Sequence, residues 1–373
     1  MRSLLRILHR YLGLLLVLPL AALGLTGSIL AFEPLLKPTF GSGHQPPVSA
    51  DAVMAVARGA VPEDLQATRY VPPTAGTPAE IWFAPLSGPR GRGTLVVRVD
   101  PSTMRTIGPP ETPGGLIELS RRLHHDFLIP DYGGRSIIGW VGIGLVLLCV
   151  TGIPIWWPTP RQWRAAFTIS VAAQGFPFHR RLHGAIGIWV VVFLLVSGAT
   201  GAVLGFPRTV REALGVAAPV RPGPSNSPAR AARGAATPGR GLDAALALAT
   251  EAAPGTVPRM VLLPGTNGPI RVMLAPPGAE GMARTATITI DGQATRVLNV
   301  QDASSMAGAE LSLRWARDVH FGQGVGIVWR WITIITGLAL PVFAFTGAAM
   351  WILRNRNRRR AVFARGDALS PGE

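Results

Sequence analysis

The sequence contains few residues of the kinds that build disulfide, cysteine–metal and acidic sites. Cys149 is the only cysteine among the 373 residues, so the chain offers no internal disulfide, no cysteine zinc site and no iron–sulfur cluster. Acidic residues number 20 against 36 lysines and arginines, which gives a formal net charge of +16. In a soluble protein this excess would suggest a nucleic-acid partner, so the placement of the arginines has to be examined.

Hydrophobic residues, in contrast, are abundant. They make up 48% of the chain, and the mean hydropathy is +0.32, which favours a membrane protein. A helix needs about 20 apolar residues to cross a bilayer core. Four stretches meet this length: residues 12–32, 137–157, 184–206 and 325–353. The sequence therefore predicts an integral membrane α-helical protein with a four-helix transmembrane bundle.

The arginines cluster at the ends of these stretches. They precede the first span, fill the loop between the second and third, and follow the fourth. By the positive-inside rule, both chain ends and that loop are predicted to be cytoplasmic. The basic tail is expected to bind membrane lipid headgroups, and no nucleic-acid partner is expected. The arginines concerned are Arg2, Arg6, Arg10, Arg161, Arg164, Arg180, Arg181, Arg354, Arg356, Arg358, Arg359 and Arg360.

The sequence repeats itself at the spacing of its membrane helices. From His9 and from His183 alike, a glycine follows at +4, a Thr-Gly pair at +17 and +18, and a phenylalanine at +23. The second and fourth stretches share Thr-Gly pairs that begin at Thr151 and Thr346. Between the spans, each half also contains a predicted helix followed by three predicted strands. The chain is therefore predicted to be two tandem parallel repeats, each with a small α+β periplasmic module.

The predicted domain boundaries follow from these spans. Transmembrane helices lie in residues 1–34, 116–158 (with a periplasmic linker helix first), 183–207 and 311–353. The periplasmic modules occupy residues 35–115 and 208–310, and the second includes a low-complexity linker at 217–241. A cytoplasmic loop at 159–182 and a basic cytoplasmic tail at 354–373 complete the chain.

Each half carries one histidine near either end of its membrane helices. A two-fold axis along the membrane normal would bring His9 to His183 on the cytoplasmic side. On the other side, counting back from the Thr-Gly pairs without gaps aligns His320 with His125. A one-residue slip in the intervening loop would align His320 with His124 instead, and the count favours His125. Ionisable residues are costly to leave unpaired in lipid, so these pairs are functional candidates.

Two imidazoles that face each other across a helix pair suit a haem iron, which accepts two axial histidines between apolar helix faces. Zinc or copper would need further ligands, and no cysteine or carboxylate is placed to supply them. Arg135 and Arg330, at matching positions, would pair with haem propionates, with an anionic ligand or with the membrane interface. His179 lies one turn before His183 and has no counterpart in the first half, so it is expected to be interfacial.

These motifs resemble those of the PepSY-associated transmembrane family. The shared features are Leu-His-x3-Gly at the start of a span, Thr-Gly late in each span, Gly-Ile-Pro-Ile-Trp-Trp-Pro at 152–158, and His-Phe-Gly at 320–322. The resemblance covers nearly the whole chain, including both outer modules, which look like degenerate PepSY domains.

The resemblance implies a function, because the family includes bacterial inner-membrane ferrisiderophore reductases with two b-type haems. It implies a multi-pass inner-membrane oxidoreductase whose substrate is a ferric siderophore in the periplasm. The electron donor would be a cytoplasmic partner or the quinol pool. Residue by residue, the haem b axial ligands carry over to His9, His183, His320 and His125, with His124 as the alternative to His125.

Two other classes of function stay open. A permease component for siderophores or iron would contain no haem, although the spans hold few polar residues to line a pathway. A regulator would use the PepSY-like modules to restrain a periplasmic protease and the helices as an anchor. A direct NAD(P)H reductase is not expected, because the cytoplasmic segments contain no G-x-G-x-x-G pattern and are too short for a flavin domain.

Overall fold

The computed structural model describes residues 2–36, 48–74, 77–85, 93–168, 174–216, 241–263, 268–302, 305–306 and 308–367. The chain separates into two compact units. The helical unit comprises Met1–Pro34, Leu116–Ala213 and Ala316–Glu373, and the sheet unit comprises Leu35–Gly115 and Leu214–Trp315. The predicted linker at 217–241, apart from its last residue, lies outside the described residues, and so does the end of the predicted basic tail from residue 368.

Eleven helices and eight strands are assigned within the described residues. The helices are α1 (Arg2–Leu15), α2 (Val17–Leu36), α3 (Ala50–Arg58), α4 (Gly115–Asp126), α5 (Gly134–Trp156), α6 (Trp163–Ala166), α7 (Phe176–Gly205), α8 (Pro207–Ala213), α9 (Leu242–Ala252), α10 (Gly308–His320) and α11 (Ile327–Asp367). The strands are β1 (Leu65–Val71), β2 (Ala79–Pro85), β3 (Leu95–Asp100), β4 (Arg105–Thr106), β5 (Val257–Leu262), β6 (Ile270–Ala275), β7 (Ala286–Ile290) and β8 (Val297–Gln301).

Four helices are long and apolar enough to cross a membrane, as the hydrophobic stretches predict. Within the described residues these spans are Val17–Leu35, Gly134–Trp156, Phe176–Gly205 and Ile327–Arg359. The last helix, α11, continues to Asp367, past the predicted end of the span at residue 353. It does so because the arginines and alanines that follow are good helix formers. The chain is a multi-pass membrane protein.

Small residues let the spans cross closely in two matching places. Gly24 on α2 faces the backbone carbonyl of Gly337 on α11, so close that a Cβ atom on either glycine would clash. On the other side, a Cβ atom on Gly142 of α5 would come within 2.9 Å of the Gly198 carbonyl oxygen on α7. Gly24 and Gly198 stand equally far from His9 and His183 in sequence. Without a strong hydrophobic force between helices in lipid, such close packing is what holds spans together.

The sheet unit contains one continuous antiparallel sheet. Its strand order is β4-β3-β2-β1-β5-β6-β7-β8. The halves of the sheet meet where β1 pairs with β5, with Arg69 opposite Leu262 and Tyr70 opposite Val261. The sequence predicted three strands in each of two modules, and the structure joins them into a single eight-stranded sheet. The outer strands β4 and β8 were missed because β4 has two residues and β8 is mostly exposed, so neither shows an alternating apolar pattern.

Helices α3 and α9 pack on the buried face of the sheet, and each caps the other. The Asp243 carboxylate accepts a hydrogen bond from the Ala50 backbone N–H at 2.7 Å, and the Asp51 carboxylate accepts one from the Leu242 N–H at 2.6 Å. Each aspartate therefore satisfies a free N–H group and the positive end of the other helix. Gly241 lies against the Asp51 carboxylate, where any side chain would collide. The exchange of caps joins the two halves of the sheet unit.

Candidate functional site: two histidine pairs

Four histidines of the helical unit each contact the threonine of a Thr-Gly pair. The contacts join the histidine Nδ1 to the threonine Oγ1 in His9–Thr151 (3.0 Å), His183–Thr346 (2.8 Å), His124–Thr26 (3.1 Å) and His320–Thr200 (3.0 Å). Each half of the chain thus holds its own two histidines. We call a Thr-Gly pair with its histidine a seat.

The threonine hydroxyls fix the orientation and tautomer of each ring. Every one donates its proton to the carbonyl four residues earlier in its own helix, so its oxygen is left to accept from the imidazole. The histidine proton then resides on Nδ1, and the lone pair resides on Nε2, which is the arrangement of a histidine prepared to bind a metal. The carbonyl acceptors are those of Ala22, Leu147, Val196 and Val342, at 2.7 to 2.8 Å.

The glycines of the seats leave room for the rings. A Cβ atom on Gly27 would lie 2.8 Å from Cε1 of His124, and one on Gly201 would lie 3.1 Å from Cε1 of His320. The corresponding distance from Gly152 to the His9 ring is 3.2 Å. Gly347 differs, because a Cβ atom there would meet no described atom within 4 Å. In three seats the glycine therefore packs closely against the histidine ring. In the fourth seat, that of Gly347, it does not, and we call this seat open.

The seats bring the histidines together in two pairs. The ring centres of His9 and His183, the first pair, are 6.3 Å apart with an interplanar angle of 80°. Those of His124 and His320, the second pair, are 6.1 Å apart with an angle of 47°. Two imidazoles bound on opposite sides of one iron, through bonds of about 2 Å, would place their centres about 6 Å apart. Both pairs have this separation.

The two pairs lie far apart along the helices. His9 and Thr26, which contacts the second pair, are seventeen residues apart on the first span and the helix before it. At 1.5 Å per residue this is roughly 25 Å, close to the thickness of a bilayer core of about 30 Å. The first pair and the second pair therefore lie toward opposite ends of the helical unit.

Residue counting favoured His125 over His124 as the counterpart of His320, and the structure places the alternative, His124, beside His320. The connection from α4 to α5, residues 127–133, is one residue longer than the connection from α10 to α11, residues 321–326. Phe127 and Leu128 take up the extra residue in the left-handed backbone region, with φ of 51° and 64°. Counting without gaps shifts the register by that residue. The His125 ring instead lies exposed and stacks on Phe321, with ring centres 6.5 Å apart.

A comparison with protein families identifies the family to which the chain belongs. The model of the PepSY-associated TM region matches residues 6–354, which is nearly the whole chain. The chain belongs to the PepSY-associated transmembrane family. An uncharacterized protein of Pseudomonas aeruginosa is similar over a short part, with 34% identity over 84 residues. That match spans 22% of this chain and 20% of the relative.

The second pair of this PepSY-associated protein is held in the neutral form. Burial, followed by repulsion from His320 and His125, lowers the pKa of His124 to about 3. Burial also lowers the pKa of His320 to about 4. Both imidazoles are therefore neutral at physiological pH, which is the form that binds metal ions. No group of three or more His, Cys, Asp or Glu side chains within the described residues is arranged to hold a metal ion by itself.

The other candidates from the sequence lie outside the pairs. His179 packs edge-on against Phe345, with ring centres 5.6 Å apart, and its Nδ1 is buried without a hydrogen-bond partner among the described residues. Arg330 is buried and donates to the Gly322 carbonyl at 3.3 Å, whereas Arg135 is exposed. The matching positions of the two arginines thus have different surroundings.

Sequence reasoning noticed the Thr-Gly pairs and did not assign them a role. The signal was their recurrence, once in each of the four spans, at Thr26, Thr151, Thr200 and Thr346. A hydroxyl inside a membrane helix usually bonds back to its own helix and needs no further explanation. Four such hydroxyls, each followed by glycine, indicated instead a partner that had to approach the backbone closely.

Proposed function

We propose that the protein is a di-haem b-type transmembrane electron-transfer protein. It would reduce ferric siderophores in the periplasm with electrons from a cytoplasmic donor or the quinol pool. The observation that carries the proposal is the separation of the two histidine pairs, 6.3 and 6.1 Å between ring centres, with every Nδ1 occupied by a threonine.

The residues present fit such a cofactor. His9 with His183 would hold one haem, and His124 with His320 would hold the other, each histidine through its free Nε2 lone pair. The four histidines are half-buried residues between the helices, and an aromatic neighbour, Phe343, lies 4.9 Å from the His183 ring. Apolar and aromatic surroundings of this kind suit a flat macrocycle packed between helix faces.

A haem bound by two histidines carries single electrons through its iron and has no free position for oxygen. The role of the chain is then to hold the rings still. The threonine bonds and the adjoining glycines restrict each imidazole to one orientation, so that little rearrangement accompanies a change of charge. Because the pairs lie roughly 25 Å apart along the first span, one would face each side of the bilayer.

The assignment of the substrate is a proposal from the family resemblance. One electron converts the ferric ion of a siderophore complex to the ferrous ion, which siderophores hold weakly, so iron would be released outside the inner membrane. Both chain ends and the loop between the second and third spans are proposed to be cytoplasmic, on the basis of their arginines.

The test is the absorption spectrum of the purified membrane protein. Reduction with dithionite should give sharp α and Soret bands, and a pyridine haemochrome assay should give about two haems per chain. The alternatives, a haem-free permease component or an anchored regulator of proteolysis, both predict colourless protein. The redox proposal would be ruled out if the protein, expressed with ample haem, is stably folded and yet colourless.

A further inference from the structure

The end of the helical unit that carries the second pair also carries a group of charged and aromatic side chains around His125. The connection from α4 to α5 folds back so tightly that Gly134 lies against the Asp126 carbonyl, where a Cβ atom would clash. His125 directly precedes Asp126, and Arg135 directly follows Gly134. The tight connection therefore brings His125 and Arg135 close to each other. Both side chains are exposed.

Arg135 is held in one orientation with part of its guanidinium free. Its Nε donates to the Leu204 carbonyl at 2.9 Å. Among the described residues, the Arg135 side chain makes no other hydrogen bond, and no carboxylate lies within ion-pair distance of its guanidinium. The two terminal NH2 groups are left with the fork geometry that binds a carboxylate through two parallel hydrogen bonds.

The neighbouring arginines, in contrast, have carboxylate partners. Arg121 bonds to Glu33 at 2.8 Å and to Glu118 at 3.1 Å. Arg317 lies 3.5 Å from the buried Asp318 and 4.4 Å above the Phe321 ring. The charged groups of Arg121, Arg135, Arg317 and Asp126 all lie within electrostatic reach of the His125 ring. Arg135 is thus the cation of this group that lacks an acidic partner among the described residues.

His125 supplies a second donor beside this cation. Its ring stacks on Phe321 at 6.5 Å and is 6.2 Å, between centres, from the ring of His124 in the second pair. The ring makes no hydrogen bond within the described residues, so its N–H is available to a ligand. An anion bound by Arg135 and His125 would lie directly beside the second pair.

We infer that Arg135 and His125 form a carboxylate-binding site at which an anionic ferric chelate docks beside the second histidine pair. The inference rests on the proposed function for the identity of the ligand as an electron acceptor. The site would select acceptors that carry free carboxylates over acceptors of positive charge. A haem propionate has the same chemistry as the carboxylate of a chelate, so the experiment has to separate these two sources.

The experiment measures binding of redox-inert complexes to the purified full-length protein by calorimetry. The probes are the gallium(III)–citrate complex, which is anionic and carries uncoordinated carboxylates, and the gallium(III) complex of desferrioxamine, which is cationic. We expect the protein to bind the first more tightly. We expect Arg135→Gln to weaken its binding by about tenfold or more, since a bidentate charge-assisted contact is lost. Arg135→Lys should fall between, because it keeps the charge and loses the fork.

Arg122→Gln is the matched control, because Arg122 is an exposed arginine on the same helix as His125. Equal losses in the Arg122 and Arg135 variants would overturn the inference, since they would indicate a general effect of charge. If Arg135→Gln instead lowers the haem content or shifts the second-pair spectrum, the carboxylate is a propionate and the inference also fails. If Arg135→Gln does not fold, His125→Ala, which removes the second donor, gives the same comparison. Binding of gallium(III)–citrate to colourless protein would retain the site and reject the proposed function.

Discussion

The two histidine pairs are built in the same way and lie in different surroundings. Beside the first pair are aromatic side chains: Phe343 lies against the His183 ring, and Trp156 approaches Gly184, the residue after His183, and contacts Phe167. The second pair has an aromatic neighbour too, Phe321, 6.1 Å from the His320 ring, but beside it also lie charged groups, the arginines of α4, α5 and α10. A common construction with different neighbours fits the proposed function, in which the two pairs share one chemistry and exchange electrons with different partners.

The seats differ between the pairs in one respect. Both histidines of the second pair lie against a glycine that leaves no space for a methyl group, whereas His183 of the first pair lies over the open Gly347. The second pair is therefore the more tightly constrained of the two. If the two pairs are independent, a substitution at one of them should leave the other unchanged.

The largest effect is expected from removing a ligand. His320→Ala should remove the haem of the second pair and leave that of the first, so that the pyridine haemochrome value falls from about two haems per chain to about one. His9→Ala should give the converse. His125→Ala is the matched control and should keep both haems, because His125 lies outside the pair. Loss of a haem in His125→Ala with full occupancy in His124→Ala would restore the assignment from residue counting.

A smaller effect is expected from adding a methyl group to the glycine of a Thr-Gly pair. Gly27→Ala and Gly201→Ala place a methyl group 2.8 and 3.1 Å from the histidine Cε1, so the ring has to shift. We expect the haem affinity of the second pair to fall by roughly 10- to 100-fold, as for other changes in the support of a metal ligand. The measurement is haem retention during titration with apomyoglobin. Gly347→Ala should leave retention unchanged, because a methyl group there meets no neighbour. An equal loss in this variant would show that contact between the methyl group and the ring is not the cause.

The threonine bond should affect the potential more than the occupancy. Thr200→Val keeps the shape of the side chain and removes the acceptor of the His320 Nδ1–H, so the imidazole becomes a weaker donor to ferric iron. A tenfold change in the relative affinity for the two oxidation states corresponds to about 59 mV for a single electron. We expect the midpoint potential of the second pair to rise by tens of millivolts in a redox titration, with that of the first pair unchanged. A shift of both pairs together would indicate a global change instead.

The smallest effect concerns the exchange of helix caps between α3 and α9 in the sheet unit. Burial raises the pKa of Asp243, but hydrogen bonds from Ser49 and the Ala50 N–H outweigh it, and the net shift is downward. The stabilising contribution of this carboxylate is therefore present above its unfolded pKa of about 4 and is lost as the pH falls through the lower folded value. Asp243→Ala should cost about 1 kcal/mol at pH 7.

This loss should appear as a lower midpoint in thermal or urea unfolding of the full chain, and it should shrink below about pH 4. Asp64→Asn is the control, since Asp64 is exposed and precedes β1 without capping a helix. An equal loss in both variants at pH 7 would show that the cap exchange does not stabilise the sheet unit.

The sequence was sufficient for the features that depend on local pattern. Apolar length predicts the four spans, and the fixed distances from His9 and His183 predict that equivalent positions will recur. The burial of alternate residues in β2 and β7 follows the apolar alternation from which strands were predicted.

The features that were missed depend on three-dimensional contacts. Pairing of β1 with β5 joins strands from distant parts of the chain, and no local pattern specifies it. The choice of His124 over His125 depends on two residues, Phe127 and Leu128, that adopt a left-handed backbone without being glycine, which a residue count cannot detect. The threonine contacts were missed because a hydroxyl gives the same signal in sequence whether it bonds only to its own helix or also to a partner.

The way in which the seats are shared has a consequence for how such a molecule can be assembled. Each half of the chain seats its own two histidines, yet each pair takes one histidine from either half. A chain with only one half would contain two Thr-Gly pairs with their histidines, but only one histidine of each histidine pair. Two copies of it, related by a two-fold axis, would complete both, since an isologous dimer brings equivalent residues face to face. The tandem chain is in this sense a tethered homodimer, and the linkage leaves each half free to acquire its own surroundings.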